Sequence, residues 1–307
     1  MDSLCIRTRG LTKRFGVRTA VDGLDLEVGR GQTFGFLGPN GSGKSTTIRM
    51  LLGLIGPTAG EAFILGHCVR RERLQALARV GALVETPAFY QFLTARENVR
   101  LFGRLSAEIT EEQIVSALRA VGLEGRMDDR VRTFSHGMKQ RLGLACALVA
   151  DPELVILDEP TNGLDPEGVK EVRDLIRSLA ESRGMTVFLS SHLLHEVEQV
   201  CTHVAVISRG RLQAAGPVSE LVRSRRPGVE FEVDRPDAAL EVFRSLLRSD
   251  SLSVEGRRVR VTVDESEIPG LNRALVNSGI NVSAIERRRQ TLEDFYLDVM
   301  HREGTVH

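Results

Sequence analysis

The chain has 307 residues, 42% of them hydrophobic and 27% charged, with Lys and Arg balancing Asp and Glu to a formal net charge of zero. That length holds one large or two ordinary domains with a sizeable core, and the balanced charge offers no global basic field to nucleic acid or anionic lipid. No window approaches the roughly 18 uninterrupted apolar residues of a membrane span, and MDSLCIRTRG lacks the basic and apolar regions of a signal peptide.

Strands are expected over residues 4–9, 24–28 and 32–37. The third runs into GPNGSGKST, Gly38 to Thr46, which is G-x-x-x-x-G-K-[ST] in its required setting of strand, Gly-rich turn and helix. The helix is expected over 45–55, stopped by Gly56-Pro57. A short apolar strand follows at 81–84, and residues 86–150 have a helical pattern with Glu/Arg-rich faces. Residues 154–157 form an apolar strand ending in Asp158 and Glu159. An amphipathic helix at 167–182, a buried strand at 186–189, a helix near 192–200 and a hairpin of 203–207 with 211–214 complete an α/β core with a mainly parallel sheet.

The charged Pro-Gly break SRRPG marks a boundary at 223–228. Beyond it come a strand (229–233), a helix (239–247), a hairpin (252–254 with 259–263), a helix (268–279) and a strand (280–285). This β-α-β-β-α-β order is that of the ferredoxin-like motif. A last helix is expected over 291–300.

The chemistry-bearing residues suit a phosphorylated ligand. Gly38, Gly41 and Gly43 let backbone N–H groups approach an anion. The helix beginning near Lys44 points its positive end there, Lys44 adds a point charge, and the Ser45 hydroxyl suits Mg²⁺. Asp158, at a strand end, can hold the same metal, while Glu159 suits a base for an attacking water. Ser135, in FSHGMKQR, is a preferred N-cap and with Gly137 offers a second anion site. NGLDP at 162–166 is a tight turn, His192 can reach a γ-phosphate, and Phe15 can stack on a base. His67, His136, His195 and His203 read as surface or capping residues, because no second ligand stands at metal spacing. The scattered Cys5, Cys68, Cys146 and Cys201 read as small apolar residues of a reducing compartment.

Taken in order, these stretches resemble the nucleotide-binding subunit of ATP-binding cassette (ABC) transporters. The resemblance implies an α/β P-loop ABC ATPase cassette over residues 1–222, with a mainly parallel sheet, a β subdomain and a helical subdomain at about 86–150. It implies a small C-terminal α+β ferredoxin-like domain over 229–307, accessory or regulatory in role. Gly38, Pro39, Asn40, Gly41, Ser42, Gly43, Lys44, Ser45, Thr46 and Thr47 are similar to the Walker A segment. Asp158 and Glu159 are similar to the Walker B pair, Asp165 to the D-loop aspartate, His192 to the switch histidine and Phe15 to the adenine-stacking aromatic. Ser135 and Gly137 resemble the signature residues that contact ATP held by a second copy, so the implied state is a head-to-tail homodimer around two ATP molecules with Mg²⁺.

Two departures stand out. The signature reads FSHGM where the family usually has LSGGQ, and F/Y-S-x-G-M-K-Q-R resembles ABC-2 type exporters. Glu85 stands where the family has a metal-joining Gln, and Glu85 followed by TPAFY resembles bacitracin-resistance and lantibiotic-immunity exporters. The implied metal ligands are therefore Ser45, Glu85 and Asp158. The implied partner is a separate multi-span permease, docked by residues 86–99 at the cytoplasmic face of the membrane. The implied cargo is an antibiotic, peptide or other amphiphile. A soluble cassette ATPase working on ribosomes or DNA is the alternative, as is an importer ATPase. Direct nucleic-acid contact is not expected of a chain with no Trp and two Tyr.

Overall fold

The computed structural model describes residues 4–84, 88–105, 108–223, 228–247, 252–288 and 291–304. The chain divides into two compact units, residues 1–218 with 302–307, and residues 219–301.

The first unit carries a six-stranded sheet in the order Arg211–Pro217, His203–Ser208, Thr33–Leu37, Thr186–Ser191, Leu154–Asp158, Val80–Leu83. All neighbours run parallel except the first pair. Every residue of Thr33–Leu37, Leu154–Asp158 and Thr186–Ser191 is buried, as expected of parallel strands covered on both faces. Phe188 ties the centre together, with its ring 5.8 Å from Phe34 and 5.5 Å from Phe36. Gly38, Glu159 and His192 each follow the C-terminal end of a strand of this sheet, where open α/β sheets bind ligands.

A second, antiparallel sheet has the order Arg18–Gly29, Leu4–Phe15, Ala59–Ile64, His67–Cys68. Its first two strands are longer than the 4–9 and 24–28 expected. Gly10 and Gly23 adopt positive φ, and the register slips between Thr8 and Leu11. Such bulges interrupt the apolar alternation without ending the strand, so the sequence pattern stops where the structure does not. The strands at 59–64 and 67–68 were not anticipated. Ala59–Ile64 approaches its neighbour so closely at Gly60 that a Cβ would stand 2.2 Å from Gly10 O.

The phosphate-loop helix spans Lys44–Leu51, four residues short of the expected end, because Gly53 turns the chain at φ +61. Ile48, Met50 and Leu51 are buried in the core this helix shares with both sheets. Among its described residues, the stretch expected to be helical over 86–150 holds three helices, Ala95–Gly103, Glu111–Ala120 and His136–Leu148, with short 3₁₀ turns before the last. Thr94 with Glu97 and Thr110 with Gln113 form capping boxes. Arg96 clamps the group, bridging Asp128 and Glu111.

The second unit is a four-stranded antiparallel sheet, Leu252–Glu255, Arg258–Thr262, Gly228–Val233, Val282–Arg288 in spatial order. With helices Pro236–Leu246 and Ile268–Asn277 it has the ferredoxin-like connectivity, followed by helix Leu292–Gly304. Its core is built on Val229, Phe231, Val259, Val261 and Phe243, with the two rings 5.1 Å apart. Most of the SRRPG break lies outside the described residues.

Candidate nucleotide-binding site

The loop after Thr33–Leu37 needs glycine for space at two positions. A Cβ on Gly38 would stand 2.3 Å from Ile207 O and 2.5 Å from Ser42 Oγ, and one on Gly43, at φ +113, 2.6 Å from Ala20 O. The loop is pinned to the edge hairpin through Gly210 N donating to Ser42 O at 2.9 Å. The helix it feeds has Gly43 as N-cap and no side-chain cap, which leaves its first N–H groups to an anion. Lys44, only 6% exposed, donates to Gly38 O at 2.8 Å and lies 3.4 Å from Glu159 Oε1.

Two neighbouring parallel strands bring up the acids. In their register Asp158 sits opposite Ser190. The buried Ser190 hydroxyl donates to Asp158 Oδ1 at 2.6 Å and accepts from Glu159 N at 3.0 Å, so it fixes both residues at once. Glu159 then takes φ +49, a left-handed conformation costing a side chain about 1–2 kcal/mol, and the chain turns out of the strand there. Glu159 Oε2 accepts from His192 Nδ1 at 2.8 Å. His192 follows directly on Thr186–Ser191. Lys44 and His192 thus grip the two oxygens of one carboxylate.

A cleft of about 590 Å³ opens over the loop. Ten of the expected residues line it: Phe15, Pro39, Asn40, Gly41, Gly43, Lys44, Ser45, Thr46, Glu159 and His192. Phe15 is half exposed, and the Lys13 ammonium lies 5.1 Å from its ring centroid. A second cavity of about 460 Å³ is lined by Ser45, Asp158 and Glu159 together with His136, Gln140, Asn162 and Gly163. Ser45 and Asp158 therefore offer a hydroxyl and a carboxylate oxygen to one space, a donor set that fits Mg²⁺.

Other expected residues stand elsewhere. Gly38, Ser42 and Thr47 are outside the lining of both cavities: Ser42 is buried against Gly38, and Thr47 Oγ1 donates to Gly43 O at 2.9 Å. These three shape the loop. Ser135 caps helix His136–Leu148 by accepting from Met138 N at 3.2 Å. Asp165 caps helix Pro166–Arg183 by accepting from Gly168 N at 3.2 Å. With Gly137, both stand apart from the cleft of their own chain. Glu85 and the first docking residues, 86 and 87, lie outside the described residues.

Sequence reasoning passed over Arg18 and Asn162, which line the cleft, Ser190, and Gln140, whose buried Nε2 donates to Pro160 O at 3.0 Å. For Ser190 a signal existed: it lies two residues before His192 in the SSH that ends a buried strand. His136 is exposed, as expected of a surface residue, but it also lines the second cavity.

Residues 21–162 match the ABC transporter family. Over 299 residues the chain is 42% identical to the bacitracin transport ATP-binding protein BcrA of Bacillus licheniformis, covering 97% of this chain and 98% of that one. The chain belongs to the ABC transporter family. It is an ATP-binding subunit of that family, with the fold and ATPase activity of an ABC cassette. It is also 37% identical over 305 residues to the daunorubicin resistance ATP-binding protein DrrA3 of Streptomyces coeruleorubidus, covering 97% of this cassette chain and 96% of the relative. A solved ATP-binding subunit of an ABC transporter superposes with a TM-score of 0.64 at 28% identity, over 72% of this chain and 92% of that structure. No helix among the described residues is long and apolar enough to cross a membrane.

Proposed function

We propose that this cassette powers an exporter whose cargo is an amphiphilic antibiotic or peptide, through a separate multi-span permease at the cytoplasmic face of the membrane. The relatives named for bacitracin transport and daunorubicin resistance support that reading, because they align over nearly the whole chain. Cargo contacts belong to the permease, so the chemical class rests on those relatives alone.

The observation that carries the mechanism is Glu159, gripped by Lys44 at 3.4 Å and by His192 at 2.8 Å beside the phosphate-loop cleft. Lys44 and the loop N–H groups bind the β- and γ-phosphates and offset their charge. Phe15 stacks on the base. Glu159 takes a proton from the attacking water, and His192 orients Glu159 and senses the γ-phosphate. Ser45 and Asp158 would hold Mg²⁺, joined by Glu85, and the metal would supply charge neutralisation for phosphoryl transfer. Glu85 brings a full charge where a Gln would bring a dipole, so Glu85→Gln is expected to alter metal affinity or coupling rate and to leave hydrolysis in place. Ser135 and Gly137 serve ATP held by a second copy, with Asp165 holding the adjoining turn. Residues 229–307 assist dimerisation or regulate hydrolysis, a role removed if their deletion leaves dimerisation, hydrolysis and transport unchanged.

The test is Glu159→Gln in the full chain. Turnover is expected to fall to background while ATP traps a dimer, read by light scattering. A variant with wild-type hydrolysis would overturn the assignment. Recovery of the tagged chain from mild detergent with a multi-span protein supports the exporter reading; recovery with ribosomes or nucleic acid refutes it.

A further inference from the structure

Phe15 ends strand Leu4–Phe15 and faces Arg18 across a two-residue turn, in which Gly16 takes φ +56 and Val17 is fully exposed. The ring that lines the cleft therefore stands half exposed at a hairpin tip, where more than one staggered setting is open to it. Lys13 lies two residues earlier on the same strand. Its ammonium stands over the Phe15 ring, 5.1 Å from the centroid, and donates to Gly56 O at 2.6 Å. Lys13 itself does not line the cleft. The cation thus meets the ring from outside the cleft and leaves its cleft side open.

The Gly56 end of this contact belongs to the segment that follows the phosphate-loop helix Lys44–Leu51. Two further bonds seat that segment on the same strand: Thr58 N donates to Thr12 O at 2.8 Å, and Arg14 N donates to Thr58 Oγ1 at 3.0 Å. Lys13 thus spans from the chain leaving that helix to the ring at the hairpin tip. An ammonium is a compact point charge with three donors, so it can serve a carbonyl and a ring face at once. The carbonyl fixes where the charge stands, and the ring quadrupole draws the ring face to it. Base and phosphates of one nucleotide lie a covalently limited span apart, so a ring tied to the helix-end segment suits a base whose phosphates sit in the loop.

We propose that Lys13 is a positioning residue for nucleotide binding: held by Gly56 O, its ammonium sets the Phe15 ring so that one face is presented to the base. Lys13 acts through Phe15 and touches no nucleotide. This rests on Phe15 stacking on the base. Without the cation the ring spreads over settings that do not present that face, and affinity falls in proportion to the fraction that does. The loss is confined to ligands that carry a base. Inorganic triphosphate, held by Lys44 and the loop N–H groups, does not depend on the ring.

The experiment measures the Kd for ATP and for inorganic triphosphate by equilibrium dialysis on the full-length chain. Lys13→Met keeps the apolar stem and removes the charge; it is expected to raise the ATP Kd about two- to fivefold and to leave the triphosphate Kd unchanged. Lys13→Arg, which keeps a cation, is expected to recover most of the affinity. In a Phe15→Leu background, Lys13→Met is expected to add no further loss, since the two act as one unit. An unchanged ATP Kd in Lys13→Met would overturn the proposal. So would a parallel loss of triphosphate binding, which would make Lys13 a support of the loop and not of the ring. A Lys13→Arg chain as weak as Lys13→Met, or an undiminished effect beside Phe15→Leu, would overturn it as well. Phe15→Ala serves as the control: wild-type ATP affinity there removes the stacking assignment itself, while a weakened Phe15→Ala beside a wild-type Lys13→Met removes only this inference.

Discussion

Ser190→Ala tests whether one hydroxyl holds Asp158 and Glu159 in place. Ser190 is fully buried and Asp158 is 6% exposed, so water cannot readily replace the lost group. The substitution removes a charge-assisted bond to Asp158 Oδ1 (2.6 Å) and the acceptor for Glu159 N (3.0 Å). A bond to a charged group contributes about 1.5–3 kcal/mol and a neutral one about 0.5–1.5. Relief of burying the hydroxyl offsets part of this, so the net cost is about 1–4 kcal/mol. For a unit of this size that lowers Tm by roughly 3–12 °C. Glu159 also loses the anchor that sustains its φ of +49, so kcat is expected to fall further than the ATP affinity. Calorimetry and steady-state hydrolysis measure both, with Ser191→Ala as the neighbouring control. A loss below about 0.5 kcal/mol with unchanged kcat would refute the reasoning.

The remaining expectations are shorter. Gly38→Ala places a Cβ 2.3 Å from Ile207 O, and is expected to abolish nucleotide binding in equilibrium dialysis by displacing the loop. Phe15→Ala is expected to weaken ATP binding by about 1–2 kcal/mol, roughly 5–30-fold, while binding of inorganic triphosphate is unchanged; parallel loss of both would count against base stacking. Lys44→Ala is expected to lower turnover at least about a hundredfold, measured by phosphate release. Burial pushes the Cys146 thiol up to about 12 and raises those of Cys5 and Cys201, so alkylation at pH 8 should spare all three until denaturant is added, as peptide mass spectrometry would report.

The Gly-rich loop, the Asp158–Glu159 strand end and His192 were legible as strand ends because each closes a local apolar run with glycines or polar residues. The ferredoxin-like order of the second unit was legible for a similar reason: its strands are short, alternate cleanly and are punctuated by turns. The bulged strands Leu4–Phe15 and Arg18–Gly29 were read short, since Gly10 and Gly23 break a pattern that backbone pairing restores. Ser190 and Gln140 were missed because their partners, Asp158 and Pro160, are remote in sequence.

Sequence alone determined where a Gly-rich turn leaves backbone N–H groups uncovered and which side chains carry charge at the strand ends, because glycine placement and strand-end acids act over a few residues. Tertiary structure decided which oxygen of Glu159 meets Lys44 and which meets His192. It also decided that Ser42 and Thr47 turn inward, and that His136 comes to rest on Gly163. Those outcomes depend on strand register and on how helices seat against turns, and the packing of distant segments sets both.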